Sequence, residues 1–174
     1  MDNRDETKEN QPQEIELLPT KKFIFLFTIT LGLYNIWWMY KVWNVFKERE
    51  KSDIIPIARA TFAIFFLYDL FEKIQNFSTS KGNEQTFSSI AYFIGFIAFN
   101  FSSRLPGGLW VISFLSVLCL VPALESFNYG IKHSKEYKII ENGEFNKNQI
   151  LLTVVGTAFW ALIVLGMLTN TVEN

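Results

Sequence analysis

Four ionisable side chains stand inside or at the edges of the apolar stretches of this sequence: Arg59, Asp69, Glu72 and Glu125. A charge at the centre of a bilayer costs about 2.5–3.5 kcal/mol on insertion scales, so such residues persist where they pair, reach water or serve a polar site. Asp69 and Lys73 are spaced i,i+4 and can pair on one helix face. Glu72 and Lys73 fall at a segment boundary near water, and Arg59 can snorkel to the nearer headgroups. Glu125 lies just past Pro122, where a kinked helix could turn it toward a bundle interior. A bridge from Arg59 to Glu125 would then build a polar site for an ion or a solute. Asp69 and Glu125 would serve as an acid–base pair only if their segments touch.

Other chemistries lack their residues. The sequence holds no G-x-S-x-G, no H-E-x-x-H and no phosphate-cradling glycine loop. Cys119 and His133 are single, too few for a zinc site that wants three or four ligands, and no disulfide can form within the chain. Cys119 sits in an apolar run and reads as a packing residue. The expectation is a non-enzymatic protein without metal or cofactor.

The elements that must position these groups are hydrophobic runs. Of the 174 residues 49% are hydrophobic and 18 are Phe, and they gather in long charge-free runs that lack the polar face of a soluble domain's helices. Phe23 to Tyr40 runs about 18 residues without a charge and passes into the aromatic cluster Trp37, Trp38, Tyr40 and Trp43. Length predicts a membrane span, and the amphipathic rings, with Trp110 farther on, predict interface anchors. Helices are expected at roughly 22–46, 54–76, 85–103, 109–129 and 148–169. Ser52, Asp53 and Pro56 mark the start of the second. The turn Arg104-Leu-Pro-Gly-Gly108 sets the third and fourth antiparallel, Gly130 ends the fourth as a C-cap, and Asn146 with Gln149 caps the fifth. Pro122 should kink the fourth helix near Leu118. Gly32, Gly95, Gly156 and Gly166 offer close helix approach. Strands are not expected, because the runs lack strict alternation.

Charge is unevenly placed. Residues 1 to 19 carry six acids and two bases, and the rest of the chain carries 14 bases and 11 acids. The first 20 residues therefore read as a disordered acidic tail and not as a signal peptide, ahead of a multi-pass membrane domain over 21–174. A basic body suits anionic headgroups, and no basic patch of the kind that holds nucleic acid occurs. With five crossings, ten Lys and Arg residues fall on the amino-terminal side and six on the other. That predicts a cytoplasmic amino terminus and an external carboxyl terminus. The flaw is the group of four bases Lys41, Lys47, Arg49 and Lys51 after the first run, which would then lie outside. If only the first run dips in and returns, the split is again ten to six, so charge does not choose.

Gly32-Leu33-Tyr34, Trp37, Tyr40-Lys41 and Trp43, followed by Pro56, Arg59-Ala60, Leu105-Pro106 and Trp110, resemble a signature of small multi-pass bacterial inner-membrane proteins. Ala58 departs from the bulky aromatic of that pattern. The resemblance implies a helical protein of the cytoplasmic membrane and no assigned activity. The expected fold is thus an all-α membrane bundle of about five transmembrane helices. The expected role is a non-enzymatic membrane component working through lipid, a protein partner or a second copy of itself. The alternative is a small transporter or channel subunit with its polar site around Arg59, Asp69 and Glu125.

Overall fold

The computed structural model describes residues 13–106, 109–140 and 144–172. It begins with a short strand, β1 (Gln13–Glu16), followed by α1 (Thr20–Ile29), α2 (Leu33–Glu50), α3 (Pro56–Thr61), α4 (Ala63–Ser80) and α5 (Ser89–Phe101). Two stretches of 3-10 helix, Ser102–Arg104 and Leu109–Leu115, lead into α6 (Ser116–Lys132). Strand β2 (Tyr137–Ile140) and the long α7 (Lys147–Val172) complete the described chain.

The run Phe23 to Trp43 is not one helix. Leu31 (φ 54°) and Gly32 (φ 87°) both lie in the left-handed region. The Gly32 N–H bonds the Phe27 carbonyl at 2.7 Å and the Leu31 N–H bonds that of Thr28 at 3.2 Å, a Schellman closure that uses up α1's last acceptors. Thr30 then works both ways. Its hydroxyl donates to the Leu26 carbonyl at 2.7 Å and accepts the Tyr34 N–H at 3.0 Å, so one side chain ends α1 and caps α2. The chain reverses here. The Phe23 ring lies 5.4 Å from that of Trp38, whereas 15 residues of straight helix would set them about 22 Å apart.

The expected second helix is also broken. Phe62, with φ −93° and ψ 45°, separates the six-residue α3 from α4. Pro56 stands in the first turn of α3, as the sequence predicts. Ser88 caps α5 by accepting the Ala91 N–H at 3.4 Å. Helix α6 passes through Pro122 without interruption and runs beyond Gly130 to Lys132. Gly130 is therefore not a cap. A Cβ there would stand 2.6 Å from the Phe77 ring, so the bare position lets α4 and α6 close together. Helix α7 starts as expected: Asn146 Oδ1 accepts the Gln149 N–H at 2.9 Å, and Gln149 Oε1 accepts the Asn146 N–H at 3.1 Å.

Two features depart from an all-helical chain with a free tail. β1 and β2 pair in parallel, Gln13 opposite Tyr137 through Glu16 opposite Ile140. Ile15, Leu17, Tyr137 and Ile139 are half-buried against the core, and Leu18 is buried. These apolar side chains repay the ordering that the acidic composition hides. The rest of the expected tail, residues 1–12, lies outside the described residues.

One aromatic and aliphatic core joins α1, α2, α4 and α6, with Phe23, Leu26, Met39, Trp43, Leu70, Phe71, Leu120 and Leu124 fully buried. Helix α7 packs outside it against α1, where Gly156 meets the Ile29 carbonyl and Trp160 Nε1 donates to the Thr28 carbonyl at 3.2 Å. Gly95 faces Cys119 Sγ, with 3.0 Å left for a Cβ, whereas Gly166 faces open space and makes no close approach.

Among the described residues two helical stretches are long and apolar enough to cross a membrane, Trp110–Lys132 and Lys147–Gly166, and not about five. The first expected span folds back on itself. The second is cut at Phe62 and carries charges, and the third is α-helical over only 13 residues. Outside the core, large apolar side chains lie bare over a wide area: Phe65 is 75% exposed, Leu33 68% and Leu162 65%.

Candidate functional site

Arg59 leaves α3 to lie against both neighbouring helices. Its guanidinium stacks 4.5 Å from the centroid of the Trp43 ring on α2 and 5.1 Å from that of Phe66 on α4. Its Nη1 donates to Asp69 Oδ2 on α4 at 2.9 Å. Planar, weakly hydrated and always charged, Arg is the cation suited to this position between aromatic faces and a carboxylate. The pair is partly open, with side-chain exposures of 24% and 49%. Its worth lies in tying three helices together, and Arg59→Ala is expected to cost about 1 kcal/mol, mostly through the lost stacking. Lysine at this position should recover less than half of that in a chemical denaturation series.

The other expected partnerships are not made. Lys73 ignores Asp69 and reaches back to α2, 2.8 Å from Glu50 Oε2. Glu72 is half-buried and enters none of the described ion pairs. Glu125 is exposed and accepts the Thr20 hydroxyl at 3.0 Å. It borders a 340 Å³ cleft with Asn83, Gln85, Tyr92 and Tyr129. Arg59 pairs with Asp69 and not with Glu125, so the three residues do not form one polar site. The break at Phe62 decides this, because it lets Arg59 meet a carboxylate ten positions ahead on its own segment.

The aromatic cluster divides by face. Trp38 (4% exposed) and Trp43 (0%) are core residues and not interface anchors. Trp37 is exposed, stacks on Tyr40 at 5.6 Å between centroids and carries the Lys41 ammonium 5.5 Å over its ring. Trp110 is half-buried against Phe114 and Trp160.

A second group of charges, not singled out by the sequence, gathers the ends of separate elements. Glu136, ahead of β2, is 2.9 Å from Lys81 past the end of α4 and 3.6 Å from Arg49 near the end of α2. The hydrogen bond from Lys81 holds its carboxyl below the usual carboxylate range, and burial pushes the neighbouring Tyr137 phenol up. Lys138 on β2 meets Glu14 on β1 at 2.6 Å. Lys22 at the start of α1 is 3.2 Å from Glu16 and donates to the Glu144 carbonyl, ahead of α7, at 2.7 Å. The loop carrying Arg49 and Glu50 thus shares one end of the molecule with the loops carrying Lys81 and Glu136. Five crossings would put it at the opposite end from both.

Among the described residues no three His, Cys, Asp or Glu side chains converge as metal ligands. His133 stacks on Tyr129 with ring centroids 3.9 Å apart, and its Nδ1 lies 2.9 Å from the Tyr129 carbonyl. No protein-family model matches the chain, and no curated protein or solved structure is significantly similar to it.

Proposed function

We propose that this chain is a non-enzymatic, multi-pass component of the cytoplasmic membrane, acting through contacts with lipid or a protein partner. In this reading α1–α2 and α3–α4 enter the bilayer from the cytoplasmic side and return. Helix α5, the stretch Trp110–Lys132 and α7 cross it. The amino terminus is cytoplasmic and the carboxyl terminus external.

The observation that carries the reading is the joining of Arg49 and Glu50 to Glu136 and Lys73 at one end. Once both early hairpins return, 13 of the 16 lysines and arginines fall on that side, Lys41 and Arg59 lie within the hairpin arms, and only Arg104 is carried across, a split of 13 to 1 in place of ten to six. So strong a bias is what orients short membrane loops. Helix α5 with its 3-10 extension reaches about 26 Å, close to the roughly 30 Å of hydrocarbon, and a mismatch of that size is accommodated by local thinning. Helix α7, only 11% buried over its apolar window, presents its remaining surface to lipid.

The carboxylates Asp69 and Glu125 have separate partners and do not form the acid–base pair that an enzyme reading would draw on. The transporter reading loses its proposed site for the same reason. The membrane reading is tested by alkaline carbonate extraction of membranes from expressing cells. The protein should stay in the pellet, and release to the supernatant would refute the reading.

A further inference from the structure

The loop between α4 and α5 and the facing side of α6 border the 340 Å³ cleft at Glu125. Among the described lining residues Glu125 alone carries a formal charge. It enters none of the described ion pairs, and its one described hydrogen bond, from the Thr20 hydroxyl, goes to Oε1 and leaves Oε2 free. The rings of Phe87, Tyr92 and Tyr129 share the wall, and the Tyr129 hydroxyl donates to the Gly82 carbonyl at 3.1 Å, which ties the loop to α6. None of the described cations lies over these three rings, although Lys41, Arg49 and Arg59 each cover a ring elsewhere. Two further lining residues, Asn83 (8% exposed) and Ser126 (6%), are buried polar side chains. Asn83 Oδ1 accepts the Gln85 N–H at 3.0 Å, but Asn83 Nδ2 and Ser126 Oγ make no described hydrogen bond, and neither atom is sealed from water. Thr28, Thr30 and Thr153, by contrast, turn their hydroxyls back onto the carbonyl one turn earlier.

We infer that this cleft is a binding site for a small primary ammonium compound that also carries an oxygen, an amino alcohol taken as the free amine or as the headgroup of an aminophospholipid. Its volume lies in the range of small-molecule sites, where a few placed polar groups fix the ligand's orientation. An ammonium complements a lone carboxylate, and a charge-assisted bond between the two is about twice as strong as a neutral one. Aromatic faces attract the same cation through their ring quadrupoles. The Nδ2 of Asn83 only donates, so it selects an oxygen beside the ammonium, and Ser126 Oγ, which both donates and accepts, serves either group. An anion would meet Glu125 with no cation to offset it. A calcium or magnesium ion wants six or more oxygen ligands and would find one carboxylate.

The site stands on the cleft and not on the membrane reading, which carbonate extraction tests separately. The full chain in neutral maltoside micelles is titrated with ethanolamine and followed by saturation-transfer-difference NMR, with ethylene glycol and glycolate as neutral and anionic controls of similar size. Ethanolamine should show saturable binding and the controls none. Glu125→Gln keeps the size and the Thr20 partner but removes the charge, and it should weaken ethanolamine binding about tenfold or more, with Tm within a few degrees of the parent. Ser126→Ala removes one hydroxyl, should weaken binding about threefold or more, and carries the test alone if Glu125→Gln does not fold. Displacement of ethanolamine by a short-chain phosphatidylethanolamine, and not by the matching phosphatidylglycerol, identifies a lipid headgroup as the source; displacement by neither identifies a free amine. Absence of saturable ethanolamine binding, equal binding of ethylene glycol, unchanged affinity in a folded variant, or equal displacement by both lipids would overturn the assignment.

Discussion

Replacing Gly156 with valine is expected to detach α7 from the body of the protein. A Cβ at this position runs into the Ile29 carbonyl oxygen and comes within 3.0 Å of the carbonyl carbon. Those atoms are backbone, in the last turn of α1, directly before the Schellman closure at Thr30 to Gly32 that fixes the turn in place. No rotamer change relieves the overlap, so α7 must move outward. That movement also breaks the bond from Trp160 Nε1 to the Thr28 carbonyl and the packing of Trp160 on Trp110 and Phe114. Overpacking costs about 1–3 kcal/mol where side chains can adjust. Against backbone the loss should reach about 3 kcal/mol or more, a fall in Tm of about 6–12 °C for a chain of this size. Gly166→Ala is the control: nothing lies within 4 Å of its added methyl, so Tm should hold or rise slightly.

Replacing Lys22 with methionine should be nearly as damaging, for an electrostatic reason. The Lys22 side chain is 6% exposed and its partner Glu16 19%. The ammonium satisfies Glu16, the Glu144 carbonyl and, 5.3 Å from its centroid, the face of Phe145. It thereby joins β1, α1 and the approach to α7. Without it a largely buried carboxylate stands alone, and breaking such a pair from one side costs about 3–5 kcal/mol. Most of that cost is the stranded charge. Lys22→Met with Glu16→Gln should therefore recover more than half the loss in chemical denaturation of the purified protein. Additive losses in the double variant would mean that the pair is not coupled.

How far the sequence foretells this arrangement differs from element to element. Helix α7 and its Asn146–Gln149 cap are legible because both signals are local. The reversal at Leu31 is not, since glycine also occurs inside transmembrane helices and 18 uncharged residues satisfy a length criterion whether straight or folded. The faces of α2 could have been separated by spacing. Tyr34, Trp38 and Trp43 recur with Asn35, Met39, Val42 and Phe46 along one buried side, while Leu33 and Trp37 fall on the exposed one. Read as one belt, the aromatics hide that period. Arg59, Asp69 and Glu125 are legible because charges stand out in apolar runs. Which of them meet depends on the Phe62 break and on tertiary contacts 23 to 124 positions apart, such as Lys73 with Glu50 and Lys138 with Glu14.

The placement of the first loop tests the account most directly. In a Cys119→Ala background, single cysteines at Lys51, Ser103 and Lys135 are exposed to a membrane-impermeant maleimide in intact cells, then again after permeabilisation. Two returning hairpins predict that Ser103→Cys reacts in intact cells, while Lys51→Cys and Lys135→Cys react only after permeabilisation. Reaction of Lys51→Cys in intact cells with Lys135→Cys still protected would place those loops on opposite sides of the bilayer and contradict the account.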